Sequence, residues 1–236
     1  MKYFLLIIIS FSLFGCTDNK EKQKNDSADL NTELDLLDYF YPLNEDEPYI
    51  YAYFDESAPL DERFHRLINI YDSDSQTFVI ERYNANLRIS EGFTLDPNSL
   101  EILDHMMVDK NLKKRKSNVT SNQYYPLEMN ETARFVSDYP SHLDSVTAIY
   151  DSRRTIIKKD VPLEIMDSTY QTILLRDTVH VHMVNRFTKE SSTQTAVIDN
   201  YYAKGLGLVK FGDVNGAINY KLKRIISDSW WMENAY

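Results

Sequence analysis

Tyr49-Ile50-Tyr51-Ala52-Tyr53-Phe54 is the stretch on which the architecture turns. Side chains of an extended chain alternate, so Tyr49, Tyr51 and Tyr53 share one face while Ile50, Ala52 and Phe54 share the other. Neither face is polar. A strand of this kind needs cover on both sides and belongs inside a sheet rather than at its margin.

Outward from it the dominant period stays at two, and breaks recur at the spacing of antiparallel β structure. Further strands are expected at 64–71, 77–83, 87–94, 132–138, 146–150, 169–175, 179–187, 195–202 and 217–226. Asp72-Ser73-Asp74-Ser75, Asp96-Pro97-Asn98 and Asp213-Val214-Asn215-Gly216 punctuate them as turns. The expected fold is therefore mainly β: a curled antiparallel sheet or half-barrel with one or two short helices. One helix would be capped by Asn31 or Thr32, the other would open at Asn98 or Ser99. Tyr41-Pro42-Leu43 and Tyr125-Pro126-Leu127 each precede an acidic or amide cluster and then a strand, which suggests two related β units, 39–122 and 123–236. Chance recurrence in a chain with 17 tyrosines explains the same strings, so one large β domain stays open.

The start of the chain carries an address. Lys2 is followed by an apolar run to Phe14, shorter than the roughly 18 residues of a membrane span, so residues 1–15 read as a signal peptide. The run ends in Leu13-Phe14-Gly15-Cys16, which resembles the lipobox of bacterial lipoproteins. That resemblance implies cleavage between Gly15 and Cys16, acylation of Cys16 (palmitate among the chains) and a lipid-anchored outer-membrane protein, its facing side undetermined. Cys16 is the single cysteine, so no internal disulfide can form, and neither a cysteine nucleophile nor a Cys-ligated metal is left for the mature chain. Residues 16–38 lack aromatics and are rich in Asp, Asn, Lys and Glu, reading as a flexible tether.

The formal charge is −10, and removal of Lys2 with the leader leaves −11. Nucleic acid, which needs a basic face, is not an expected partner. The one basic cluster, Lys110, Lys113, Lys114, Arg115 and Lys116, reads as a solvated loop or as a contact for anionic headgroups or glycans.

Four of the five glycines of the mature chain fall between Gly205 and Gly216. Gly205 and Gly207 are expected to supply a structural bend, since glycine accepts positive φ and close backbone approach. No Gly-Lys-Ser/Thr follows to make a phosphate loop. The segment Lys204-Gly205-Leu206-Gly207-Leu208-Val209-Lys210 resembles a stretch of small β-rich outer-membrane lipoproteins, including ones similar to the LolA and LolB half-barrel carriers. The resemblance covers about the last hundred residues and implies a curled sheet around an apolar cavity.

His180 and His182 would project from one face of a strand with a spacing that suits two zinc ligands, but no third ligand is identifiable, and a polar outer face explains them equally. Trp230 and Trp231, with the many tyrosines, could stack on sugars or simply pack. No motif of nucleophilic or metal-assisted catalysis occurs, so no catalytic residue and no cofactor is assigned. The resulting expectation is a non-catalytic, membrane-anchored envelope protein that binds an apolar ligand or a partner protein. The alternative is a glycan-handling accessory protein or surface hydrolase.

Overall fold

The structure, a computed structural model, describes residues 35–43, 47–55, 57–73, 75–141, 143 and 145–234. The signal peptide, Gly15, Cys16, the helix cap at Asn31 or Thr32, and most of the expected tether lie outside the described residues. The tether was expected to reach Asp38, but Leu36–Tyr39 form a 3₁₀ turn whose Leu36 is buried, so the folded body begins earlier. The leucines at 34, 36 and 37 stand between acidic residues with no aromatic among them, and so read as part of the polar run.

Thirteen strands follow: β1 (Tyr49–Asp55), β2 (Ala58–Tyr71), β3 (Gln76–Tyr83), β4 (Ile89–Leu95), β5 (Ile102–Val108), β6 (Lys114–Lys116) and β7 (Asn118–Asn122). Then come β8 (Thr132–Pro140), β9 (Val146–Ile165), β10 (Ser168–Asn185), β11 (Ser191–Ala203), β12 (Gly207–Asp213), β13 (Asn219–Ser227) and the helix α1 (Asp228–Asn234). All thirteen lie in one sheet, ordered β6-β5-β4-β3-β2-β1-β13-β12-β11-β10-β9-β8-β7. Every pairing joins strands adjacent in sequence except β1 with β13, where Tyr51 faces Ile225. The strands of 39–122 and of 123–236 are thus parts of a single sheet.

The two ends of that order nearly meet. The Ser117 N–H donates to the His105 carbonyl of β5 at 3.0 Å, and the Tyr124 N–H to the Leu100 carbonyl at 3.3 Å. Between them Gln123 bridges Glu101. The run 114–122 therefore pairs first with β5 and then with β8, and the sheet curls past a half-barrel into a nearly closed barrel. Closure removes the unpaired edges that a flat sheet of this size would expose.

β1 has both faces covered. Tyr51 and Tyr53 point into the barrel, while Ile50 and Ala52 join Phe64, Tyr83 and Ile226 in an outer patch that Trp231 of α1 closes. The helix expected at Asn98 or Ser99 is instead a single turn. The Asp96 carboxylate accepts from the N–H groups of Asn98 and Ser99, as a helix cap would, but Leu100 takes φ +53° and the chain reverses into β5. Pairing with β4 outweighs the helix propensity of Leu, Glu and Met in 100–108. The strands expected at 169–175 and 179–187 are one, β10, because Arg176 and Asp177 are each paired across the sheet and do not form a turn.

Candidate functional site

One end of the barrel is sealed by its own chain. Phe40 and Tyr41, next to the 3₁₀ turn, enter the lumen and are almost fully buried. Phe40 packs edge-on against Phe78, Tyr124 and Tyr125, and Tyr41 against Tyr51 and Tyr202. The turn between β11 and β12 receives this plug. The Gly205 N–H donates to the Asp38 carbonyl at 2.7 Å, and Lys204 pairs with Asp38 at 2.6 Å. At Gly207, φ is +82° and a Cβ would come within 2.9 Å of the Tyr41 Cα. The two glycines singled out in the sequence thus sit in the turn that seats the plug.

Above the plug the lumen is hollow. A cavity of about 340 Å³ is walled by Phe93, Phe135, Tyr150, Val179, Ile198 and Phe211, among others. Its mouth is at the end opposite the plug, where the lining residue Ile218 is 44% exposed.

Two arginine–carboxylate pairs stand on the lumenal wall, each between neighbouring strands. Arg154 and Asp177 form a bidentate pair at 2.6 and 2.7 Å, both residues 7% exposed. The remaining Nη1 of Arg154 donates to the Tyr124 carbonyl and to the Tyr202 hydroxyl. Arg82 donates to Glu91 at 2.7 Å and to the Tyr124 hydroxyl at 3.0 Å, and its guanidinium lies over the Phe93 ring. Its Nε is buried without a partner. Behind this pair, Glu91 reaches His105 at 3.2 Å and His105 reaches Ser117 at 2.7 Å. Burial alone would raise the Glu91 carboxyl, but Arg82 and His105 hold it below its ordinary range.

His65 shares a 3.0 Å hydrogen bond with Tyr41 and stacks on Phe211. Burial, with nearby Arg82, pushes its pKa well below that of a free imidazole, so it is neutral. Burial raises the Tyr150 hydroxyl, as do Glu91 and Asp177, so it too is neutral and able to donate.

The residues named from the sequence lie elsewhere. His180 and His182 stand on the outer face of β10, each bonded through Nδ1 to Thr195 or Thr193 of β11. Among the described residues no group of three His, Cys, Asp or Glu side chains could hold a metal ion. Trp231 is fully buried, in ring contact with Phe64 and Tyr83, and so offers no face to a sugar. Trp230 is 38% exposed with Arg224 over its ring. His65 and His105 are both in the lumen.

Sequence reasoning missed Arg82, Glu91, Arg154 and Asp177, for which parity was the available signal. Arg82 alternates in step with Phe78 and Ile80, Glu91 with Phe93 and Leu95, and Asp177 with Leu175 and Val179, which places each charge on the apolar side of its strand.

No protein-family model and no curated protein matches the chain. Among solved structures it is similar to a chain described as a lipoprotein from Parabacteroides distasonis, at 13% identity over 79% of this chain and 97% of that one, with a TM-score of 0.41. It is also similar to a chain described as an exported protein with a YmcC-like fold from Bacteroides fragilis, at 9% identity over 79% of this chain and 98% of the other, with a TM-score of 0.34.

Proposed function

We propose that this chain is a non-catalytic envelope protein, lipid-anchored to the outer membrane through Cys16, whose barrel receives a small apolar ligand. The observation that carries the reading is the hollow itself: about 340 Å³ left empty beside a packed plug, with aromatic and aliphatic walls. Ordinary protein interiors pack without voids of that size, and pockets that hold small molecules start at about 300 Å³. The guanidinium groups in its wall are each held by a carboxylate, Arg63 by Asp61, Arg82 by Glu91 and Arg154 by Asp177, which suits orientation of a ligand rather than chemistry on it. The lipobox-like Leu13-Phe14-Gly15-Cys16 supports the anchor.

Native mass spectrometry of the mature chain with Cys16→Ala, extracted without detergent, tests the ligand. A co-purifying mass that disappears in Val179→Trp is the expected result; an empty barrel that also takes up no apolar probe sinks the reading. For the anchor, Cys16→Ala is expected to leave the envelope fraction and to retain the leader.

A further inference from the structure

Three hairpin turns of related build treat their leucines differently. At 84–88, 96–100 and 109–113 the side chain of Asn84, Asp96 or Asp109 accepts from the backbone N–H two residues on, and Leu87, Leu100 and Leu112 take φ +57°, +53° and +60°. A bulky side chain in that region of backbone space is unfavourable. Leu87 offsets the cost by packing against the patch of Ile50 and Trp231, and Leu100 by complete burial. Leu112 is 57% exposed. A strained, apolar residue that packs on nothing points to function.

Leu112 tips the turn between β5 and β6 at the open end of the barrel, and the turns beside it end in the same way. Leu143, between β8 and β9, is 50% exposed, and Phe187, between β10 and β11, is 83% exposed. The three turns are neighbours. The Arg186 N–H donates to the Ser145 carbonyl at 2.7 Å, and Val108, Asp109 and Arg115 share the wall of a second cavity, of about 180 Å³, with Tyr139, Ser141 and Met183. Together they make an apolar crest on the rim of the mouth.

That crest is basic in an acidic chain. Residues 109–116, 141–145 and 185–190 hold seven Lys and Arg against three Asp and Glu, a net of +4, where the whole chain carries −10. Arg115 is matched by Asp109 and Lys116 by Asp104, but Lys110, Lys113, Lys114 and Lys189 form no ion pair among the described residues. Leu60, 93% exposed on the same rim, stands instead beside Asp61 and Glu62.

Apolar tips ringed by unpaired lysines fit a boundary with anionic headgroups outside and hydrocarbon beneath. They project from separate turns, which suits a planar, deformable partner better than a shaped protein surface. We propose that this crest docks the open end of the barrel on a bilayer containing anionic phospholipid, with Leu112, Leu143 and Phe187 entering the headgroup layer and the four lysines facing lipid phosphates. The docking does not depend on the cavity being filled. It is salt-sensitive, and it adds to the acyl anchor proposed for Cys16 rather than replacing it. Extended, the chain from Cys16 to Asp35 spans roughly 65 Å and the strand β10 roughly 60 Å, so one bilayer can hold both the anchor and the crest.

The test uses the mature chain with Cys16→Ala, which carries no acyl group, in flotation with vesicles of phosphatidylcholine alone or mixed in equal parts with phosphatidylglycerol. Binding to the mixed vesicles at about 50 mM salt, at least about tenfold tighter than to phosphatidylcholine and lost at about 500 mM, is the expected result. Lys113→Glu combined with Lys114→Glu is expected to weaken it at least about tenfold, Phe187→Ser about tenfold and Leu112→Asn about threefold. Asn accepts left-handed backbone better than Leu, so Leu112→Asn is expected to keep or raise the unfolding midpoint, which separates docking from a structural role. Leu60→Asn is expected to bind as its parent does. No binding to the mixed vesicles, equal binding to both kinds, binding indifferent to Phe187→Ser and Leu112→Asn, or a loss in Leu60→Asn equal to that in Phe187→Ser overturns the inference. So does equally tight binding of soluble polyphosphate that ignores Phe187→Ser and Leu112→Asn, which would make the crest a site for free anions.

Discussion

The plugged end of the barrel and the hollow beside it are both built of aromatic rings, yet they are finished differently: the plug is packed ring on ring, while both lumenal arginines, Arg82 and Arg154, belong to the wall of the hollow. Arg154, on the cavity wall, spends its donors on Asp177, a backbone carbonyl and Tyr202. Arg82, on the same wall, keeps its Nε unanswered, and the Tyr150 hydroxyl has no hydrogen-bond partner among the described residues. Completeness of packing separates the part of the lumen that holds the fold from the part left for something else.

Four measurements break or sharpen that contrast. Asp177→Asn removes the partner of a buried guanidinium and is expected to cost about 3–5 kcal/mol in chemical denaturation. A loss below about 1 kcal/mol would mean that Arg154 is no more committed to the fold than Arg82.

Gly207→Ala forces a side chain into φ +82° and against Tyr41 at 2.7 Å, so roughly 2–3 kcal/mol should be lost. An unchanged midpoint would show that the plug does not need its seat.

A third measurement concerns His65, whose folded pKa is depressed by burial. Between that value and the unfolded value near 6.5 the unfolded state binds more protons, so stability is fully present above about pH 6.5 and falls as the pH drops below it. The expected slope is about 1.4 kcal/mol per pH unit between pH 6 and 5, and His65→Gln should flatten it. The carboxylates with lowered pKa, Glu91 among them, titrate lower and do not contribute in that window.

The smallest effect belongs to the cavity side. Tyr150→Phe is expected to change stability by less than about 0.5 kcal/mol, because its hydroxyl bonds no group among the described residues and the ring contact with Phe135 is kept. A loss above about 1 kcal/mol would place Tyr150 with the sealed part of the lumen.

Much of the sheet was legible because alternation is a local property. The two apolar faces of 49–54 required cover on both sides, and β1 has the lumen on one and Trp231 on the other. The glycines at 205 and 207 announced an unusual backbone, and both take positive φ. The strand at 102–108 was hidden behind a helix-like cap at Asp96, because the reversal at Leu100 is imposed by pairing with β4. The pairs Arg82–Glu91 and Arg154–Asp177 were hidden for a related reason. A lone arginine or aspartate in a strand is ordinarily solvated, and only the register that sets a partner directly opposite on the neighbouring strand makes the inward position tolerable.

The amino-acid order alone determined that this chain is sheet-built, that its strands pair antiparallel, and that its glycines mark a special backbone, since period, turn chemistry and φ are set by neighbours in sequence; the length of β9 and β10, 20 and 18 residues, was not among these. Only the tertiary structure decided that the sheet closes, that Phe40 and Tyr41 stop one end, that Trp231 is buried on the outside, and that Arg82 and Tyr150 face a hollow. Each of those depends on residues brought together from far along the chain, as Tyr51 is with Ile225, and no local pattern encodes which distant side chain will arrive.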